Sequence, residues 1–175
     1  MFLDRDGVLI HDVGYPRDPE RVRLLDGAAA ALARLRQWGF ALVVVSNQSG
    51  VGRGLVTAGE ARRVHDRMTA DLAAQGVALD AAYYCFHAPE DGCECRKPSP
   101  GMLLQAAREL NLDPARSFLV GDKAIDVEAG RRAGCRTIVL TGPASVGIEE
   151  SRPCAVAASW PEVVEAVKAL RKQYG

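Results

Sequence analysis

Two aspartates separated by one residue, Asp4 and Asp6, end a short apolar run and are followed by Gly7. In extended backbone residues i and i+2 project to the same side, so both carboxylates stand where a strand opens into a loop. Taken alone, the pair reads as a strand end with an Asp/Gly turn. The rest of the chain changes that reading. Ser46 and Asn47 follow a second apolar run, Gly121 and Asp122 end a third with Lys123 and Asp126 just behind, and Arg96 and Lys97 precede a helix start. Carboxylates, a hydroxyl, an amide and cations are the groups needed to hold a hard metal ion and a phosphate together.

A second set of residues has different chemistry. Cys85 and His87, five intervening residues, then Cys93 and Cys95 place four soft or borderline ligands in one short loop. That is the donor set of a closed tetrahedral zinc site, and with no open position the metal would be structural. Its expected role is to fix a loop, about residues 85–96, that is too small to bury a core of its own, and so to position Arg96 and Lys97 downstream. Cys135 and Cys154 are expected to be small core residues.

The strand-end residues can meet only if the elements that carry them line up. Residues 27–38 place Ala28, Ala31, Leu32 and Leu35 at helical spacing before Gly39, and residues 40–45 form a continuous apolar run of the kind a strand buried on both faces requires. Thr57 and Glu60 predict a capped helix to about Gln75. Residues 81–86 follow as a strand, and Ser99 with Pro100 at the first helical position opens a helix ending near Leu110. Residues 117–120 are a strand, 125–133 a helix and 136–140 a strand. Residues 155–158 are a short strand, and Ser159 and Glu162 cap a last helix to about Gln173. The alternation predicts an α/β fold, a three-layer, doubly wound, mostly parallel sheet whose strand ends share one edge. Residues 10–25 read as an irregular loop, too short for a cap domain, and the whole of 1–175 reads as one domain.

Composition excludes several classes. The 22 acidic and 22 basic residues balance, so no strong field steers the chain to nucleic acid or an anionic membrane, and no apolar run is long enough to span a bilayer. These features predict a cytoplasmic monomer with no nucleic-acid or membrane partner. His11 and His65 are not expected to be catalytic, His65 being placed on an exposed helix face.

The residues carry a resemblance. Asp4-Arg5-Asp6-Gly7-Val8, then Ser46, Lys97, and Gly121-Asp122 with Asp126 occur in the order of the four motifs of the haloacid dehalogenase superfamily of aspartate-nucleophile phosphatases, which the chain resembles. DRDGVLIHDVGYPRDPE, SNQSGVGRG, CRKPSPGML and VGDKAIDVEAG are similar to the branch containing D-glycero-D-manno-heptose 1,7-bisphosphate phosphatase and the histidinol-phosphate phosphatase domain, over about residues 2–140. That branch also carries a zinc loop. The first strand and the interval between His87 and Cys93 are shorter than is usual there.

The resemblance implies that Asp4 is the nucleophile and Asp6 the acid and base. Mg²⁺ would be held by the Asp4 carboxylate, the Asp6 backbone carbonyl and Asp122. Ser46 and Asn47 would bind the transferring phosphoryl group, Lys97 would neutralise it, and Asp126 would orient Lys97 or the metal shell. Arg53 and Arg96 are candidates for a second phosphate, since a guanidinium offers a bidentate fork. The implied activity is a Mg²⁺-dependent phosphomonoesterase acting on a phosphorylated sugar, first heptose 1,7-bisphosphate and next histidinol phosphate, with selectivity from loops near Tyr15, Gly52 and Pro89. A zinc-stabilised binding module without turnover is the reading from another class, and retention of both Asp4 and Asp6 argues against it.

Overall fold

The computed structural model of the chain describes residues 1–142, 145 and 148–174. Among them are the strands β1 (Phe2–Leu3), β2 (Val43–Asn47), β3 (Ala81–Cys85), β4 (Phe118–Gly121), β5 (Arg136–Leu140) and β6 (Ala155–Ala157). The α-helices are α1 (Ala28–Gln37), α2 (Ser49–Gly52), α3 (Ala58–Ala73), α4 (Gly101–Glu109), α5 (Ala124–Ala133) and α6 (Trp160–Tyr174).

All strands pair in parallel, in the order β3-β2-β1-β4-β5-β6. The two residues of β1 lie between both halves, Phe2 opposite Val43 and Leu119, Leu3 opposite Val44 and Val120. The chain winds outward from β1 to β3 and then returns to β4 on the other side. Its direction reverses beside β1, and in such sheets ligands bind in the crevice at that reversal, beyond the strands' carboxyl ends.

Alternating residues divide the core between two faces. Leu3, Val44, Val120 and Ile138 pack with Leu32, Met68 and Val163 of α1, α3 and α6. Phe2, Val43, Val45 and Leu119 pack with Met102, Leu103 and Ala129 of α4 and α5. These are the three layers expected. α3 starts on its predicted capping box, with Thr57 Oγ1 accepting from the Glu60 N–H at 3.1 Å and Glu60 Oε2 from the Thr57 N–H at 2.7 Å. Trp160, at the start of α6, donates its Nε1–H to the Val8 carbonyl at 2.9 Å and ties down the loop that follows β1.

Several elements depart from the sequence pattern. β2 begins at Val43, not Phe40, because Phe40 packs edge-on against the Phe118 ring and the Leu42 N–H donates to the Asp80 carboxylate. The strand then runs on through Ser46 and Asn47. α4 begins at Gly101 with Pro100 as its cap and no side-chain capping bond from Ser99. The short α2 was not foreseen. Cys135 is buried as expected, but Cys154, the residue just before the edge strand β6, is exposed. His65 is half-buried rather than exposed and shares a 2.8 Å hydrogen bond with Tyr84 Oη on β3.

Candidate active site

The last residues of β1, β2 and β4 and the segment before α4 converge. Lys97 Nζ lies 3.0 Å from Asp4 Oδ1, 2.6 Å from Asp126 Oδ1 and 2.8 Å from the Val45 carbonyl, and its side chain is 1% exposed. Burial alone would lower the Lys97 pKa, but the Asp126 and Asp4 carboxylates more than offset it and raise it, so the ammonium stays charged. Oxygens of Asp4, Asp122 and Asp126 lie within 4.8 Å of one another. Buried Lys97, with Lys123 Nζ 3.6 Å from Asp122 Oδ2, faces three buried carboxylates, and the cluster stays negative. Asp122 shows the result: its pKa is pushed up to about 7, first by burial and then by Asp4, and its Oδ1 is buried without a hydrogen-bond partner. An all-oxygen donor set with an orphaned carboxylate oxygen fits a hard divalent cation.

Two glycines make this crowding possible. Gly7 turns at φ +80°, and a Cβ on it would collide with the Asp122 carboxylate. A Cβ on Gly121 would likewise collide with Asp126.

Asp6 belongs to a second network that sequence reasoning missed. Arg5 Nη2 and Nε reach its carboxylate, the closest pair being Nη2–Oδ2 at 2.9 Å. Gln48 Nε2 donates to Asp6 Oδ2 at 2.8 Å and to Ser46 Oγ at 3.0 Å, while Gln48 Oε1 accepts from Arg5 Nη2 at 2.7 Å. Burial raises the Asp6 pKa, with Arg5 acting in the opposite direction. The sequence pattern singled out neither Arg5, between the two aspartates, nor Gln48, after Asn47. Only their burial and pairing mark them out.

The other predicted residues fall into two groups. Ser46 is buried with its Oγ beside Gln48. Asn47 is committed to Lys97, donating Nδ2–H to the Lys97 carbonyl at 2.9 Å and accepting the Lys97 N–H on Oδ1 at 3.0 Å. Asp4, Asp6, Ser46, Asn47, Arg96 and Lys97 all line one cavity of about 350 Å³, with Asp12, Tyr15 and Lys123 among the outer residues. Arg96 Nη1 is buried without a hydrogen-bond partner. Arg53 does not line the cavity; its Nη1 donates to Tyr15 Oη at 2.9 Å, so it acts on the wall rather than inside. A larger cavity, about 570 Å³, lies between α3 and β3 with mostly apolar walls, and Gln48 lines both.

The cysteine loop closes as its spacing predicted. Cys85 Sγ lies 3.5 Å from Cys93 Sγ and 3.6 Å from His87 Nδ1; Cys95 Sγ lies 3.4 Å from Cys93 Sγ and 3.2 Å from His87 Nδ1. All four ligand atoms are within 4.8 Å of one another. A tetrahedron of ligands about 2.0–2.3 Å from zinc has edges on the order of 3.5 Å, so the donor set and its size both fit that ion.

Comparison with known proteins places this arrangement. A HAD-hydrolase-like family model matches residues 94–165. D-glycero-beta-D-manno-heptose-1,7-bisphosphate 7-phosphatase of Yersinia pestis is 41% identical over 181 residues, covering 98% of this chain and 96% of that protein. The chain belongs to the haloacid dehalogenase superfamily. Within it, the same-named protein of Pasteurella multocida is 45% identical over 146 residues, covering 80% of this chain and 79% of its own length. A crystal structure of D,D-heptose 1,7-bisphosphate phosphatase from B. bronchiseptica, complexed with magnesium and phosphate, superposes with a TM-score of 0.88 at 34% identity, covering 98% of both chains. The sheet is parallel as expected, with six strands among the described residues, and no described helix is long and apolar enough to cross a membrane.

Proposed function

We propose that this chain is a Mg²⁺-dependent phosphomonoesterase that removes the 7-phosphate of D-glycero-β-D-manno-heptose 1,7-bisphosphate, with Asp4 as nucleophile. The observation that carries the reading is the Asp4 carboxylate held against buried Lys97 in the lining of a cavity that also contains Asp6 and Ser46. The names of the full-length relatives supply the substrate.

In the first displacement an Asp4 carboxylate oxygen bonds to phosphorus while the bond from phosphorus to the sugar oxygen breaks. Asp6 gives its proton to the departing alkoxide. In the second, water bonds to phosphorus, Asp6 takes the water's proton, and Asp4 leaves as a carboxylate with release of phosphate. Dividing a very slow hydrolysis in two lowers each barrier, and positioned proton transfer contributes about 10²–10⁴ in rate. Ser46 Oγ donates to the phosphoryl oxygens. Lys97 neutralises charge building on them, and Asp126 and Asn47 hold Lys97 in place. Mg²⁺, held by Asp4, Asp122 and the Asp6 backbone carbonyl, would supply the positive charge that lets a carboxylate approach a phosphate. Zn²⁺ in the Cys85, His87, Cys93 and Cys95 loop would be structural. Arg96, lining the cavity, is the better candidate for the second phosphate, and Arg53 would set the Tyr15 wall. The reading takes the chain as one domain, a cytoplasmic monomer whose partner is a small phosphorylated sugar.

Phosphate release from a panel of esters, with and without Mg²⁺, tests this. Heptose 1,7-bisphosphate should be turned over fastest and the Asp4→Asn variant should be inactive. Full activity in Asp4→Asn would remove the nucleophile, and an equal rate on histidinol phosphate would remove the substrate assignment.

A further inference from the structure

We propose that Gln48, with Arg5, is the positioning device for Asp6 and so governs delivery of the proton to the departing alcohol. The proposal rests on the phosphatase reading above and deepens it. Arg5 is fully buried and its guanidinium lies over the Tyr84 ring, 5.8 Å from the centroid, so the fork that grips Asp6 cannot swing freely. The Gln48 amide has one orientation. Its Oε1 accepts from Arg5 Nη2 and its Nε2 donates to Asp6 Oδ2. Turned over, it would set an NH₂ against a cation and a carbonyl against a carboxylate. The Gln48 backbone N–H donates to the Cys85 carbonyl at 2.7 Å, which fixes this residue to the end of β3. Its Nε2 also reaches Ser46 Oγ, so one amide sets the spacing between the phosphate-facing hydroxyl and the acid. Reactions of this kind lose about 10² in rate when a group moves by roughly 1 Å.

A positioning role makes a prediction that a purely structural one does not. When the bond to a sugar oxygen breaks, the leaving alkoxide is a strong base and needs the Asp6 proton; an aryl oxide is stable enough to leave without it. The ratio kcat/KM covers the steps through release of the alcohol, so it isolates this event from the later hydrolysis. The test compares Gln48→Met, which keeps the length of the side chain and removes both polar atoms, with Gln48→Glu, which can still accept from Arg5 but cannot donate to Asp6. Circular dichroism and thermal melting confirm the fold of each. In both variants kcat/KM for a sugar phosphate should fall at least about tenfold more than for p-nitrophenyl phosphate. Equal losses on the two esters, or no loss on either, would overturn the proposal. Turnover of neither ester by the wild-type protein with Mg²⁺ would instead remove the phosphatase reading on which it stands.

Discussion

Gly7 lies so close to Asp122 that any side chain at position 7 would occupy the space of the Asp122 carboxylate. The opening motif and the last site loop, 115 residues apart in the chain, are therefore in van der Waals contact through a missing methyl group. Gly7→Ala meets that collision at a φ of +80°, where an alanine is strained by about 1–3 kcal/mol. The expected result is a lower melting temperature and at least tenfold loss of Mg²⁺-dependent phosphate release. Wild-type values for both would show that Asp122 has room to move.

Lys97 is the buried cation of a cluster of three carboxylates, with Lys123 Nζ 3.6 Å from Asp122 Oδ2 at its more exposed side. Lys97→Met keeps the volume of the stem but leaves Asp126 and Asp4 without their counter-charge, and breaking a buried pair costs about 3–5 kcal/mol. In the proposed mechanism the same ammonium neutralises the phosphoryl group, so activity should fall by about 10²–10³ as well. Chemical denaturation and steady-state rates check the two effects separately. Asp126→Asn should reproduce much of the stability loss with a smaller loss of rate, since Asp126 acts through Lys97.

What the sequence disclosed follows from where its signals are local. Strand ends carrying Asp4, Ser46 and Asp122, and the spacing of Cys85, His87, Cys93 and Cys95, are set by the pleat and by one short loop, so they could be read from residue order. The Arg5–Asp6–Gln48 triangle could not. It joins residues 42 and 43 positions apart through side chains, and nothing in the local pattern tells a buried arginine from a solvated one. The resemblance implied a phosphoryl contact for Asn47; its side-chain amide pairs with the Lys97 backbone, which depends on how the cysteine loop returns to the sheet. The start of β2 was missed for a similar reason. Phe40 and Leu42 have the composition of a strand, but Phe118 and Asp80 offer them other partners.

As a metal ligand, Asp122 would make Mg²⁺ binding pH-dependent. Its pKa rises from 3.8 to about 7 in the folded chain, so without metal its contribution to stability is fully present below about pH 4 and is lost as pH rises through 7. A divalent cation binds the deprotonated form and reverses this dependence. Apparent Mg²⁺ affinity should be about thirtyfold weaker at pH 5.5 than at pH 8. Melting curves over a Mg²⁺ series at the two pH values measure it, and identical midpoints would contradict the Asp122 assignment.

Arg96 and Arg53 separate cleanly. Arg96→Ala removes a cavity cation with an unpartnered nitrogen and should raise KM for a bisphosphate at least tenfold, with little effect on a monophosphate. Arg53→Ala frees the Tyr15 ring from its hydrogen bond and should change KM only a few-fold for both. A reversed order would move the second phosphate to the Tyr15 side.

The cysteine loop gives the most direct metal test. Burial pushes the Cys85 thiol up to about 12, so in the metal-free chain this sulfur stays protonated and the four ligand atoms form only weak contacts. Zinc would displace that proton and bind all four side chains, and the binding energy would appear as order in residues 85–96. The purified protein should contain one zinc per chain. Removing it with a strong chelator should lower the melting temperature by about 5 °C or more, on the scale of about 2–4 °C per kcal/mol for a chain of this size. Lys97 follows Cys95 by two residues and is pinned at its backbone by Asn47, so disorder in the loop should also lower the rate. Cys93→Ser should behave like the chelated protein, whereas Cys154→Ser, exposed just before β6, should not. A protein that contains no zinc, and melts and turns over alike with and without chelator, would show that four thiol and imidazole groups can close this loop unaided.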